Sequence, residues 1–238
     1  MKKFNKKRIV FILVWTFLPI GIFMLQTANN NLNQKTVATM SVPVTNRTII
    51  VDAGHGGEDG GAVSSNGVSE AQINLSIALK LQNLLEQSGA TVVLTRSDDN
   101  AIYDIDKTTL REKKNSDLKN RVKIGNTSSA DIFVSIHLNK IEQSQYYGWQ
   151  TFFKDGNEQG KKLATCIQEN LNEAIQKENK RTPLKISNIY IIKNVEIPTT
   201  IVECGFLSNP EEEKQLQTDE YQNKLVWGIY NGIMDYFL

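Results

Sequence analysis

The sequence predicts an α/β fold: one domain with a mostly parallel, twisted sheet and helices on both faces, preceded by an N-terminal membrane segment. Three observations carry this reading. From residue 48 onwards, short runs rich in β-branched residues alternate with longer stretches at helical spacing, the pattern of strands joined by crossover helices. The runs TIIVDA and DIFVSIHLN are apolar on both faces, as strands of a covered parallel sheet must be. An uncharged apolar run at 9–25 follows a basic start. These divide the chain into 1–25 (basic flank with a membrane anchor or signal segment), a linker at 26–46 and a domain at 47–238.

Taken in order, TIIVDA (48–53) reads as a buried strand, followed by the glycine-rich loop GHGGEDGG (54–61). Ser69 opens a helix, and Gln72 three residues on suggests a capping box. Ile73, Ile77, Leu81, Leu84 and Leu85 recur at helical spacing, and Gly89 ends the element. TVVLT (91–95) is a second strand, and a polar excursion runs from Ser97 to about Lys114. A helical segment at 116–127 leads into the strand 131–139, and WQTFF (149–153) is a weaker strand. A long helix is expected over 157–178, then two strands, ISNIYII (186–192) and PTTIVECG (198–205). Asn209-Pro210 opens a short helix, with Asn as cap and Pro in the first helical position, and Thr218 caps the last one.

The chain has 238 residues, enough for one substantial core. Its net charge of +1 conceals an asymmetry. Residues 1–47 hold seven bases and no acid; the rest holds 20 bases against 26 acids, or −6. A body of that sign lacks the clustered positive charge of a nucleic-acid binder. The start KKFNKKR followed by IVFILVWTFLPIGIFML is a secretory signal or a single anchor whose basic flank stays cytoplasmic. The domain is therefore expected on the outer side of the cytoplasmic membrane. Two cysteines, Cys166 and Cys204, make no disulfide framework, although a single bridge between them would be permitted outside the cell.

The two histidines share a structural context. His55 follows the carboxyl end of strand 48–53, and His137 lies at the carboxyl end of strand 131–136. Glu203 closes strand 199–203 at the equivalent end, on the edge where open α/β sheets bind ligands. Glu70, in the first turn of the helix behind the first strand, reaches the same edge; alone, it reads equally as a complement to the helix dipole. Two imidazoles and a carboxylate suit Zn²⁺ with a fourth position open to water. A second, metal-free glutamate would then carry the proton, which is the role left to Glu203. The glycine loop matches neither phosphate-cradling pattern, and its glycines let the backbone turn at His55. Cys204 with His137 as base is a competing thiol-hydrolase arrangement.

These residues resemble the zinc-dependent N-acetylmuramoyl-L-alanine amidases of the type 3 class. The resemblance runs through IIVDAGHGGEDGGAV (49–63), SEAQINLSIALKLQNLL (69–85), ADIFVSIHLN (130–139) and IPTTIVECGFLSNPEEEKQL (197–216), covering essentially 48–238. It implies that His55, Glu70 and His137 bind zinc and that Glu203 is catalytic. It also implies hydrolysis of the amide between N-acetylmuramic acid and L-alanine of peptidoglycan. Asn139 is the expected substrate contact, while Arg96 and Arg121 fall at polar positions suited to bracing the loop edge.

Within the family, the chain looks most like the sporulation-specific, germination-related cortex amidases. FVSIHLN, GWQTFF, GFLSNPEEE, the lone membrane segment and the absence of wall-binding repeats carry that placement. It implies a spore-cortex substrate on the way to muramic-δ-lactam, a forespore or spore-envelope location and an accessory sporulation protein. The alternatives are a non-catalytic peptidoglycan-binding or regulatory module of the same fold, and a zinc-dependent glycan deacetylase. The excursion 97–114 reads as a solvated loop or as a partner- or substrate-gating element.

Overall fold

The computed structural model describes residues 15, 17–27 and 42–238. Residues 17–27 are helical and belong to a unit separate from 42–238. The expected membrane segment at 9–25 lies in part outside the described residues, as does most of the linker at 26–46. Among the described residues, no helix is long and apolar enough to cross a membrane.

In the second unit the elements run β1 (Thr48–Ala53), α1 (Glu70–Gln87), β2 (Thr91–Leu94), α2 (Leu110–Thr127), β3 (Ile132–Asn139), β4 (Gln150–Lys154), α3 (Glu158–Ile175) and β5 (Leu184–Ile186). They continue with α4 (Tyr190–Asn194), β6 (Thr199–Phe206), α5 (Pro210–Leu216) and α6 (Asp219–Phe237). The strands form one six-stranded sheet in the order β2-β1-β3-β6-β4-β5. β2, β1, β3 and β6 pair in parallel, as helical crossovers dictate.

The sheet is mixed, however, because β4 runs antiparallel to β6. The 140–149 connection between β3 and β4 contains no helix to carry the chain back, so β4 returns in the opposite sense. Four of the five strand pairings are parallel, in keeping with the mostly parallel expectation, and the one reversal brings the start of β4 to the carboxyl edge of β6.

Both faces are covered. Ile49, Val51 and Ala53 of β1 pack with Ile77 and Leu81 of α1 and with Leu225 and Ile229 of α6. Ile50 on the opposite face packs with Phe133, Ile191 and Val195. Three local expectations fail. ISNIYII is not a strand: β5 ends at Ile186, and Ile191 and Ile192 are buried on the short helix α4. A short apolar run cannot be assigned by periodicity alone. Helix α2 begins at Leu110, six residues before the expected start at 116, because Thr109 and Glu112 form a complete capping box. Ser69 precedes α1 without capping it through its side chain; its hydroxyl donates to the Gly60 carbonyl at 2.9 Å instead.

Candidate active site

The carboxyl edge of β1, β3 and β6 gathers the predicted residues. His137 and Glu203 are register partners across β3 and β6, and Ala53 lies beside Ile136, which puts His55 one step beyond the sheet. The His55 and His137 rings meet edge to face with centroids 5.0 Å apart. Glu70, the first residue of α1, is buried and turned into this edge. Its Oε1 lies 3.0 Å from His137 Nδ1 and 3.3 Å from His55 Nε2. Its Oε2 accepts from the Ala62 amide at 2.8 Å, and Oε1 from the Leu138 amide at 3.0 Å. A helix-dipole carboxylate would face solvent; this one serves the cluster.

Ligand atoms of His55, Glu70 and His137 lie within 4.8 Å of one another, close enough to hold one metal ion. The backbone is shaped around them. A Cβ on Gly54 would stand 2.3 Å from His137 Nε2, and one on Gly61 would stand 2.6 Å from Glu70 Oε2 and 2.7 Å from His55 Cδ2. His55 adopts φ +64°, uncommon for residues other than glycine although histidine tolerates it better than most.

A set of buried polar contacts fixes that loop. Arg121 Nη2 donates to the His55 carbonyl at 2.6 Å and Nη1 to the Ala53 carbonyl at 2.7 Å. Its charge is met by Asp52 and Asp117, each 2.6 Å away. Arg96 donates to the carbonyls of Ala53, Gly54 and Ala71. These arginines brace the loop from below. Asp59, which the sequence reading passed over, accepts from His55 Nδ1 at 3.0 Å and so turns Nε2 towards Glu70. The i, i+4 spacing of His55 and Asp59 was visible, but a non-helical loop gives that spacing no fixed meaning.

The electrostatics follow from these contacts. Burial opposes charge on His55, but Asp59 and Glu70 outweigh it and raise its pKa to about 9. Burial would raise Glu70, yet the two histidines hold its carboxyl far below the usual range. Glu203 behaves oppositely: burial pushes it up to about 7, with Glu70 adding to the shift against the two histidines. Its Oε2 is sequestered and has no hydrogen-bond partner among the described residues.

Asn139, the expected substrate contact, ends β3 half-buried; its carbonyl accepts from the Leu207 amide at 2.8 Å. The excursion 97–114 is tied to α2, with the Ile102 amide donating to Asp117 Oδ1 at 2.9 Å and the Asp104 amide to Ser116 Oγ at 3.0 Å. Tyr103, Leu110, Lys113 and Lys114 wall a small pocket that His55 also lines. Cys204 does not join the site. It lies in the core, where burial pushes its thiol well above the ordinary range and leaves it inert, and Cys166 is likewise free.

An α/β sheet that brings two imidazoles and a buried carboxylate to one point, beside a sequestered acid, defines a class of protein whose strand edge carries a group able to hold a metal ion. The family is more specific: Amidase_3, N-acetylmuramoyl-L-alanine amidase, matches residues 49–235, and the chain belongs to it. The germination-specific N-acetylmuramoyl-L-alanine amidase of Bacillus subtilis is 34% identical over 216 residues, 91% of this chain and 89% of that protein. The solved structure of the CwlD amidase from Clostridioides difficile, in complex with the GerS lipoprotein, is 49% identical with a TM-score of 0.78. It covers 80% of this chain and 98% of that one. An N-acetylmuramoyl-L-alanine amidase from Clostridium difficile is 32% identical with a TM-score of 0.70, over 81% of this chain and 97% of its own.

Proposed function

We propose that this amidase is zinc-dependent and acts on spore-cortex peptidoglycan outside the cytoplasmic membrane, as a step towards muramic-δ-lactam. The observation that carries the metal reading is the convergence of His55, Glu70 and His137 on one point cradled by Gly54 and Gly61. Two imidazoles and one carboxylate fit zinc in a catalytic rather than a closed structural site.

His55 Nε2, a Glu70 oxygen and His137 Nδ1 would hold the ion, because these atoms face one another. When bound, zinc polarises the scissile carbonyl and lowers the pKa of the attacking water. Glu203 takes that water's proton at its free Oε2 and delivers it to the leaving nitrogen of L-alanine. A pKa near neutrality suits a group that must both accept and release a proton. Asp59 and Arg121 hold His55 in place, and Asn139 contacts substrate at the end of β3. The cavity walled by Tyr103 and Leu110 admits part of the substrate beside His55, which gives the excursion 97–114 a gating role.

The cortex assignment draws on the germination-specific relative and the CwlD neighbour. The latter's complex with a lipoprotein supports an accessory partner here as well. The domain boundaries, 1–25, 26–46 and 47–238, and the anchor or signal at 9–25 rest on the sequence pattern. A non-catalytic binder would have no use for the unpartnered Glu203 carboxyl, and a deacetylase would release acetate rather than peptide.

Metal analysis of the full chain, with muropeptides followed before and after chelation, tests the reading. One zinc per chain and stem-peptide release that chelation stops and zinc restores are expected. Release unaffected by complete metal removal would overturn it.

A further inference from the structure

On the amidase reading above, we propose that Arg181 and Lys177 form an anion subsite on the catalytic edge that takes a carboxylate of the peptide attached to the scissile amide. The mixed sheet creates the position. Because β4 runs antiparallel to β6, Gln150 at its start lies opposite Glu203, and the loops 140–149 and 176–183 rise from the same edge. The Gln150 side chain donates to the Thr182 carbonyl at 2.6 Å and ties the second loop to that edge. Between the loops lies an open crevice lined by Tyr146, Tyr147, Glu178 and Arg181 among others.

The Arg181 guanidinium is fixed on one side and open on the other. Its Nη1 donates to the Tyr147 carbonyl and to Asn179 Oδ1, and its Cζ lies 4.9 Å from the centroid of the Phe206 ring. Asn179 is held in turn by the Trp149 carbonyl at 2.8 Å. Nε and Nη2 of Arg181 make no hydrogen bond among the described residues, and no carboxylate there pairs with Arg181. Lys177 adds a second positive charge over the Tyr147 ring at 3.9 Å. Glu212 feels both charges, but neither it nor Glu178 forms an ion pair with Arg181 or Lys177 among the described residues. Glu212 spends one oxygen each on the Gly148 and Phe206 amides, and Glu178 pairs with Lys180.

A preorganised guanidinium with a free two-donor edge matches a carboxylate in both charge and geometry. Adjacent strands are ~4.8 Å apart, so the step from Glu203 past Gln150 to the crevice is on the order of 10 Å. Two or three residues of extended peptide, at about 3.5 Å each, cover that span. The subsite therefore reads the second or third residue from the cleaved bond, and it requires an acidic group there.

The test is steady-state kinetics of the full chain on two synthetic muropeptides, one with free peptide carboxylates and one with carboxamides in their place. The wild type is expected to favour the free acid by about tenfold or more in kcat/KM, as a charge-assisted pair gives. That ratio should fall to near one in Arg181→Gln and about threefold in Lys177→Gln, whose side chain is on the surface. A ratio unchanged in both variants overturns the subsite, even if both absolute rates drop. So does a wild type that cleaves both substrates equally. A wild type that cleaves neither overturns the amidase reading and the subsite with it.

Discussion

Arg121 Nη2 donates to the carbonyl oxygen of His55 at 2.6 Å, so a buried guanidinium grips the backbone of a residue held at φ +64°. The same side chain neutralises Asp52, which accepts further hydrogen bonds from Thr95 and Ser135. Burial alone would raise Asp52, but Arg121 and these hydroxyls keep it ionised. Arg121→Met would strand that charge in the core. We expect a loss of about 3–5 kcal/mol in unfolding free energy, the usual consequence of removing one partner of a buried pair. Chemical denaturation of the metal-free variant checks this, and a change below 1 kcal/mol would remove Arg121 from its bracing role.

Asp59 orients His55 through Nδ1, and the consequence is read in metal affinity. Asp59→Asn should weaken zinc binding by roughly 10–100-fold, as losses of such orienting partners do. Competition against a chromophoric chelator measures it directly. Affinity equal to the wild type would show that ring packing alone positions His55.

The pH dependence of zinc uptake follows from the same contacts. With its pKa raised to about 9, His55 is protonated at pH 7.5 in the metal-free protein, and binding must expel that proton. Apparent zinc affinity should then fall about tenfold per pH unit as the pH drops below about 9. Conversely, the metal-free fold loses the His55 ion-pair contribution as pH rises through about 9. Calorimetry in buffers of different ionisation enthalpy should report about one proton released at pH 7.5. Zero release would contradict the assignment.

For Glu203 stability also falls as pH rises, but through a growing burial penalty rather than the loss of an ion pair. Its folded pKa of about 7 stands above its ordinary 4.5, so burial penalises the ionised form. That penalty is absent at pH 4.5, grows as the pH rises and is complete above 7, reaching at most about 3 kcal/mol. Metal-free Glu203→Gln should therefore be more stable than the wild type at pH 8, with the gap closing towards pH 5. Thermal melts at the two pH values decide it, and a constant gap would show that Glu203 is not desolvated.

Much of this site was legible because strand ends are. Runs such as TIIVDA and DIFVSIH announce buried parallel strands, and in such sheets the residues just past them share one edge, which placed His55, His137 and Glu203. Glu70 was ambiguous, since a first-turn acid looks the same in sequence whether it faces solvent or a metal. Arg96 and Arg121 were visible only as polar positions, for burial of a charge depends on partners far along the chain: Asp52 is 69 residues from Arg121. The reversal of β4 and the helical turn at Tyr190–Asn194 were hidden for a related reason. Both depend on which neighbour a short apolar run packs against, and its own pattern does not record that.

The most direct test of the whole account is stem-peptide release from cortex peptidoglycan by zinc-loaded wild type and zinc-loaded Glu203→Gln, with one zinc per chain verified in each sample. If His55, Glu70 and His137 hold the metal and Glu203 moves the proton, both proteins retain their zinc. The variant's kcat then falls by about 10²–10⁴-fold. A fully zinc-loaded variant that releases peptide at the wild-type rate would contradict the account.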